Sequence, residues 1–288
     1  MRRIFVFVSI FVLAACTVYF GVVFGKHKNL NIRNLPENII LGNPKLGGAF
    51  VEGLIVYDFK NQTQQSILNG VYISDPYFGA NGRILMVQQD KEIIEYDLDG
   101  KSSKKIFISN EHVELPKYVP NSNSITYSNG HELYIYDMTT QKNSKITDLR
   151  GDYSWNNSGK DFLFCYKYND AVYKYDFTNN TIDRLFSGHN PQYSNNNQYI
   201  SYVVSDEKSD YIVVRELTSQ KEWRYKARGV RYHRFSSDDR YIAFQKDIEK
   251  FLAEDSELVV WDFKSGETGN LINFIHHGKC GAFDWMRK

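Results

Sequence analysis

A short phrase recurs along the chain at nearly constant spacing, and it restricts the fold more than any other feature. It reads Ile55-Val56-Tyr57-Asp58, Ile94-Glu95-Tyr96-Asp97, Tyr134-Ile135-Tyr136-Asp137, Tyr173-Lys174-Tyr175-Asp176, Val213-Val214-Arg215-Glu216 and Val259-Val260-Trp261-Asp262. The closing acidic residues are 39, 40, 39, 40 and 46 positions apart. After each comes a polar turn, such as Asp99-Gly100, Thr178-Asn179-Asn180 or Ser265-Gly266, and then a second apolar segment. β-Branched and aromatic residues bounded by such turns spell strand, hairpin and strand.

The other half of each unit is a proline or aromatic, one residue, an aromatic, and a cluster of Asn, Asp, Ser or Gly. It reads Pro76-Tyr77-Phe78, Pro116-Lys117-Tyr118, Tyr153-Ser154-Trp155, Pro191-Gln192-Tyr193 and His233-Arg234-Phe235, each followed by its cluster and a further β segment. Four strands per roughly 40 residues is the period of a propeller blade, a unit that buries its faces only by stacking on neighbours. Five continuous blades begin near Val71, Glu111, Gly151, His189 and Gly229. The segment from about Val51 to Leu68 carries only the later strands of a blade. Near the C-terminus, Gly281-Ala282-Phe283-Asp284-Trp285 matches the first-strand phrase Gly151-Asp152-Tyr153-Ser154-Trp155. The expected fold is therefore all-β, a six-bladed β-propeller closed circularly by its C-terminal strand.

Over roughly residues 50 to 288 these phrases resemble the repeats of the TolB-like six-bladed β-propellers, in the WD-repeat-like propeller superfamily. Those repeats pair a Pro-x-Trp-Ser-Pro-Asp-Gly-like phrase with a later apolar-x-Asp phrase. The single Trp261-Asp262 lacks the recurring Gly-His partners of WD repeats proper, and the paired glycines of kelch repeats are missing. The resemblance implies a fold; function has to be argued from a site.

Ahead of the repeats, Arg2 and Arg3 precede an apolar run from Ile4 to Gly25, 22 residues broken only by Ser9 and Thr17. Such a run is long enough to cross a bilayer as a helix. Within it, Leu13-Ala14-Ala15-Cys16 resembles a bacterial lipobox, with Cys16 as the lipidated residue. Residues 1–25 thus read either as an uncleaved signal anchor or as a lipoprotein leader. Residues 26–49, rich in turn formers, read as a tether, and the propeller is expected over 50–288. An extracytoplasmic, membrane-anchored protein is the corresponding expectation.

Composition narrows the function. Thirty-five Lys and Arg against 34 Asp and Glu leave a formal charge of +1, without the basic surface that nucleic-acid binding uses. No Gly-x-Ser-x-Gly elbow, Gly-rich phosphate loop, His-Glu-x-x-His, paired Cys-x-x-Cys or calcium-loop pattern occurs, so no cofactor and no metal are expected. His276 and His277 are adjacent and would point to opposite faces of a strand. Cys165 and Cys280 fall in blades on opposite sides of the ring, too far apart for a disulfide.

Loops on a rigid scaffold commonly carry binding. The residues predicted where inner strands begin are Asp75, Glu114, Arg150, Asp152, His189 and Arg231, a set of mixed sign suited to a polar or peptide ligand. The sixth blade carries an insertion, Lys246 to Glu257. There Ile248, Phe251 and Leu252 fall at i, i+3, i+4, which predicts a helical stripe with acids, among them Asp247, Glu249 and Glu254, on the other side. With Asp206, Glu207 and Asp210 it would form a docking lip, or else its apolar stripe would only cover the end of the core. The expected function is a membrane-tethered, non-catalytic protein-interaction module of the bacterial cell envelope, with an envelope protein as partner and a monomeric propeller sufficient for the task. Two alternatives stand beside it: a peptide- or glycan-binding domain using Tyr77, Tyr153 and Tyr232, and a lyase or hydrolase using His189, Arg231 and His233.

Overall fold

The structure is a computed structural model and describes residues 29–42, 45–46, 49–50, 53–79, 82–166, 170–250, 253–274 and 283–286. Six antiparallel sheets of four strands form the blades. Blade 2 runs through Ile73–Phe78, Arg83–Gln88, Glu92–Asp97 and Ser102–Ile108, and blade 3 through Glu114–Tyr118, Ser124–Ser128, Glu132–Asp137 and Lys142–Asp148. Blade 4 comprises Ser154–Trp155, Asp161–Cys165, Ala171–Asp176 and Thr181–Ser187; blade 5, His189–Tyr193, Tyr199–Ser205, Asp210–Glu216 and Glu222–Ala227. Blade 6 comprises Arg231–Phe235, Tyr241–Lys250, Ala253–Asp262 and Glu267–Phe274. Blade 1 is composite, in the order Phe283–Trp285, Ile39–Gly42, Gly53–Asp58, Thr63–Asn69.

The recurring acid proves to be a turn former. Asp97 accepts from the backbone N–H groups of Asp99 and Gly100, Asp137 from Thr139 and Thr140, Asp176 from Thr178 and Asn179, and Asp262 from Lys264 and Ser265. Four residues after each acid the chain turns left-handed, at Gln62, Lys101, Gln141, Asn180, Gln220 and Gly266. The aspartate thus supplies the local bonds of an Asx turn and aims the outer strand back along the third.

Alternation along each strand sends successive side chains to the two neighbouring blades. The result is one apolar cluster in each of the six blade interfaces. Between blades 4 and 5, Leu163, Cys165 and Val172 meet Ile200, Tyr202 and Val213. Between blades 6 and 1, Tyr241, Ala243, Leu258 and Val260 meet Ile39, Leu41, Phe283 and Trp285. Cys165 is a free buried thiol in this packing, whereas Cys280, His276 and His277 lie outside the described residues.

The structure corrects the sequence reading in two places. The folded body begins well before residue 50: Ile39–Gly42 is the second strand of blade 1, pairing Ile40 with Asp284 on one side and with Val56 on the other. Residues 29–35 are not a free tether either. Leu30 N–H bonds the carbonyl of Thr268, and Leu30, Ile32 and Leu35 pack against the blade 6–blade 1 core. The second correction concerns the insertion, which is a hairpin and not a helix. Pairing continues through Lys246↔Glu257, Asp247↔Ser256, Ile248↔Asp255, Glu249↔Glu254 and Lys250↔Ala253. Extending an existing ladder satisfies backbone groups at once, whereas a lone helical turn must be nucleated. Phe251 lies outside the described residues, as do Cys16 and the apolar run 4–25. Among the described residues no helix is long and apolar enough to cross a membrane.

The turns between first and second strands also bond from blade to blade. Asn121 Nδ2 donates to Asn157 O, Asn157 N to Asn197 Oδ1, Asn195 N to Asp239 Oδ1 and Ser237 N to Glu37 Oε2. Gly159 sits in this belt with φ +70°, where a Cβ would stand 2.2 Å from the carbonyl oxygen of Pro120. Gly266, with φ +78°, has nothing within 4 Å. Gly266→Ala is therefore expected to lose about 1 kcal/mol from backbone strain alone. Gly159→Ala, strained and obstructed, should lose clearly more; denaturant titration of both variants checks the order.

Candidate functional site

Four of the six inner strands start irregularly and end regularly. The register skips a residue between Ser74 and Tyr77, Glu114 and Lys117, His189 and Gln192, and Arg231 and His233. In three of these bulges the residue before proline is left-handed: Asp75 (φ 49°), Leu115 (φ 53°) and Asn190 (φ 50°). A bulge bends the strand and re-aims its side chains. Beyond it, the residue between the proline or aromatic and the final aromatic faces the axis. Tyr77, Lys117, Ser154, Gln192 and Arg234 occupy this position in blades 2 to 6, and all of them line one cavity of about 470 Å³. Asp284 is their counterpart in blade 1. Its carboxylate is tied up as an acceptor for the backbone N–H groups of Phe78 and Trp285.

The cavity opens among the turns joining first to second strands, with Asn121, Asn157 and Asn195 at its rim and Tyr118, Trp155, Tyr193 and Phe235 in its wall. This mouth is opposite the end where the inner strands begin. Its floor is a buried charge cluster. Asp152 lies 2.6 Å from Lys117 Nζ and 2.6 Å from the Arg234 guanidinium, and accepts from Gln192 Nε2 at 3.0 Å and from the Tyr153 N–H at 2.7 Å. Burial alone would raise the Asp152 pKa, but Arg234 and Lys117 together outweigh it and hold the carboxyl well below its usual range. Burial lowers Lys117 to about 8, with Arg234 adding to the effect and Asp152 opposing it. Burial, with Arg234 beside it, likewise pushes His233 down to about 3, so it is neutral, and among the described residues its Nε2 has no hydrogen-bond partner.

The residues predicted from sequence divide into two groups. Asp75, Glu114 and Asp152 are drawn together toward the axis at the strand-start end. Burial, then the charges of Glu114 and Asp152, raise the Asp75 carboxyl to about 6. The other three turn to partners within their own blades or beside them: Arg150 to Asp170 at 2.9 Å, His189 to Ser205 at 3.1 Å and Arg231 to Asp247 at 3.2 Å. His189 and Arg231 accordingly have separate partners. Tyr153 is fully buried, its hydroxyl bonded to Leu115 O and Thr126 Oγ1. Glu249 and Glu254 are opposite each other in the backbone register of the blade 6 hairpin. Sequence reasoning missed Lys117, Gln192 and Arg234 although their phrases were in view; the signal was chemical variety at one fixed position of a repeat.

Two outcomes follow from these charges. Asp152→Ala strands two buried cations, and the loss is expected to be about 3–5 kcal/mol by denaturant titration. Asp75 has a folded pKa above its unfolded value, so its contribution to stability is complete below about pH 4 and is lost as the pH rises through 6. Asp75→Asn, which also suits a left-handed backbone, should therefore unfold at higher denaturant than wild type at pH 7.5, with the difference closing near pH 4.

No family model matches the sequence, and no curated protein matches it. Among solved structures the chain is similar to TolB from Acinetobacter baumannii, at 17% identity over 81% of this chain and 68% of that one, with a TM-score of 0.53. It is similar also to a protein from Agrobacterium tumefaciens assigned to TolB, at 14% identity over 88% and 99% of the two chains, TM-score 0.66. An oligogalacturonate lyase from Vibrio parahaemolyticus aligns at 10% identity over 84% and 80%, TM-score 0.53. Likeness at these identities is likeness of fold, and one of these structures is a lyase. The chain has the six-bladed β-propeller fold found in these TolB structures.

Proposed function

We propose that the protein is a non-catalytic interaction module, tethered to a bacterial membrane on its extracytoplasmic side, and that its propeller receives a segment of an envelope protein partner at the turn-side mouth. The cavity at that mouth carries the reading. Its volume of about 470 Å³ is in the range of sites that hold a ligand or a few side chains. Rim amides offer donors and acceptors to a peptide backbone, and Tyr77, Tyr118 and Tyr193 offer amphipathic faces of the kind enriched at protein interfaces. Beneath them the charges are engaged with one another: Asp152 is paired with Lys117 and Arg234, and buried His233 is held neutral. A general base needs access to the proton it abstracts, so this floor suits holding better than proton transfer. The apolar run 4–25 and Cys16 supply the tether, as a spanning helix or as a lipid anchor.

A photocrosslinking side chain at exposed Asn121, on the mouth, and another at Asp247, on the opposite hairpin, test this in cells expressing the full-length protein. The expected result is one dominant envelope protein captured from Asn121. Capture from Asp247 alone would move the docking surface to the hairpin, and no specific protein from either position would replace a protein partner with a small ligand.

A further inference from the structure

The mouth has an imbalance of hydrogen-bonding groups that points to the chemistry of its occupant. On the floor every carboxylate oxygen is engaged. Asp152 Oδ1 takes Lys117 and the Tyr153 N–H, its Oδ2 takes Gln192 and faces Arg234, and both oxygens of Asp284 are held by backbone N–H groups. The donors are in surplus. Arg234 directs Nη1 to the carbonyl of His233 and to Asp152. Among the described residues neither its Nε nor its Nη2 donates a hydrogen bond, although the side chain is nine-tenths buried and forms part of the cavity wall. Nε and Nη2 make up the edge of a guanidinium that matches a carboxylate with two parallel bonds. Of the charged residues lining the cavity, Arg83, Lys117 and Arg234 are cations and Glu95 is the one acid. Glu95 is already engaged by Arg83 and by the Tyr118 hydroxyl.

We propose that the segment received at the mouth is acidic, and that an Asp, Glu or C-terminal carboxylate of the partner is read by the Nε/Nη2 edge of Arg234 with Lys117 beside it. This deepens the docking reading and rests on it. A carboxylate that displaces solvent from this edge gives both N–H groups an acceptor in two parallel charge-assisted bonds. A neutral peptide carbonyl presents one acceptor oxygen and would satisfy only one of the two N–H groups.

The test titrates the full-length protein in detergent micelles with two fluorescent pools of short peptides, identical except that Asp and Glu in one are Asn and Gln in the other. The acidic pool is expected to bind about tenfold more tightly, the ratio that one charge-assisted bond supplies. Arg234→Lys keeps the charge and loses the planar edge, so most of the preference should vanish while the thermal transition persists. Wild type gives an independent reading if that variant does not fold. Lys117 is surrounded by Asp152, Arg234, Asp284 and the Tyr153 ring, and is held near 8. An anion arriving beside it should therefore draw protons from solution at pH 8, seen by calorimetry in two buffers of different ionisation heat. Equal binding of the two pools, no binding by either, or binding without proton uptake overturns the proposal. Tighter binding of a uronic-acid oligosaccharide than of the acidic peptides overturns the peptide as the source of the carboxylate. A protein captured from Asn121 together with equal pool affinities would discard the carboxylate and leave the docking function standing.

Discussion

The ring depends on the packing between neighbouring blades, and most of all on the one interface built from both ends of the chain. No blade has a core of its own; each is an apolar-faced sheet that needs a neighbour on either side. Around most of the ring the next blade follows in sequence. Between blades 6 and 1 it does not, and there Phe283 and Trp285, both fully buried, lie against Tyr241 and Val260 while Asp284 fixes the neighbouring inner strand through the Phe78 N–H. Trp285 Nε1 also bonds the carbonyl of Arg234. A closed ring leaves no blade face exposed, which is how this architecture avoids unpaired apolar surface.

Closure also brings six inner strands side by side, and their polar side chains meet where water is scarce. Charges there must be paired or neutralised. Asp152 meets this requirement across three blades, with Lys117 from blade 3 and Arg234 from blade 6. The two ends of the axis differ as a consequence. Toward the strand starts, Asp75 and Glu114 gather negative charge, enough to raise the Asp75 carboxyl. Toward the turns, the lining is cationic and amide-rich. An axis polarised in this way favours one kind of occupant at each end.

The blades were legible because each apolar alternation returns in register about every 40 residues, so a reading error in one unit is corrected by the next. Ile39–Gly42 was not legible. It is four residues long, carries no aromatic and stands between Pro36 and Pro44, which makes it look like part of a turn-rich linker. The insertion failed for another reason. Ile248, Phe251 and Leu252 fit a helical stripe within a few residues, and so short a pattern cannot outweigh the strands on either side. The candidate site was half visible. Strand-start residues drew attention because they are charged, whereas the axial residue was passed over as the unnamed middle of Pro-x-aromatic. Pairing of Asp152 with Lys117 and Arg234 could not be read at all, since it exists only once the ring has closed.

The account stands on the turn-side mouth being the place where a partner is held. A cryo-electron microscopy structure of the full-length protein, captured from its membrane with its crosslinked partner, tests that most directly. Partner density entering between Tyr77, Tyr118 and Tyr193 and reaching Arg234 is the predicted result. Density confined to the blade 6 hairpin or to the strand-start end, with the mouth empty, would contradict it.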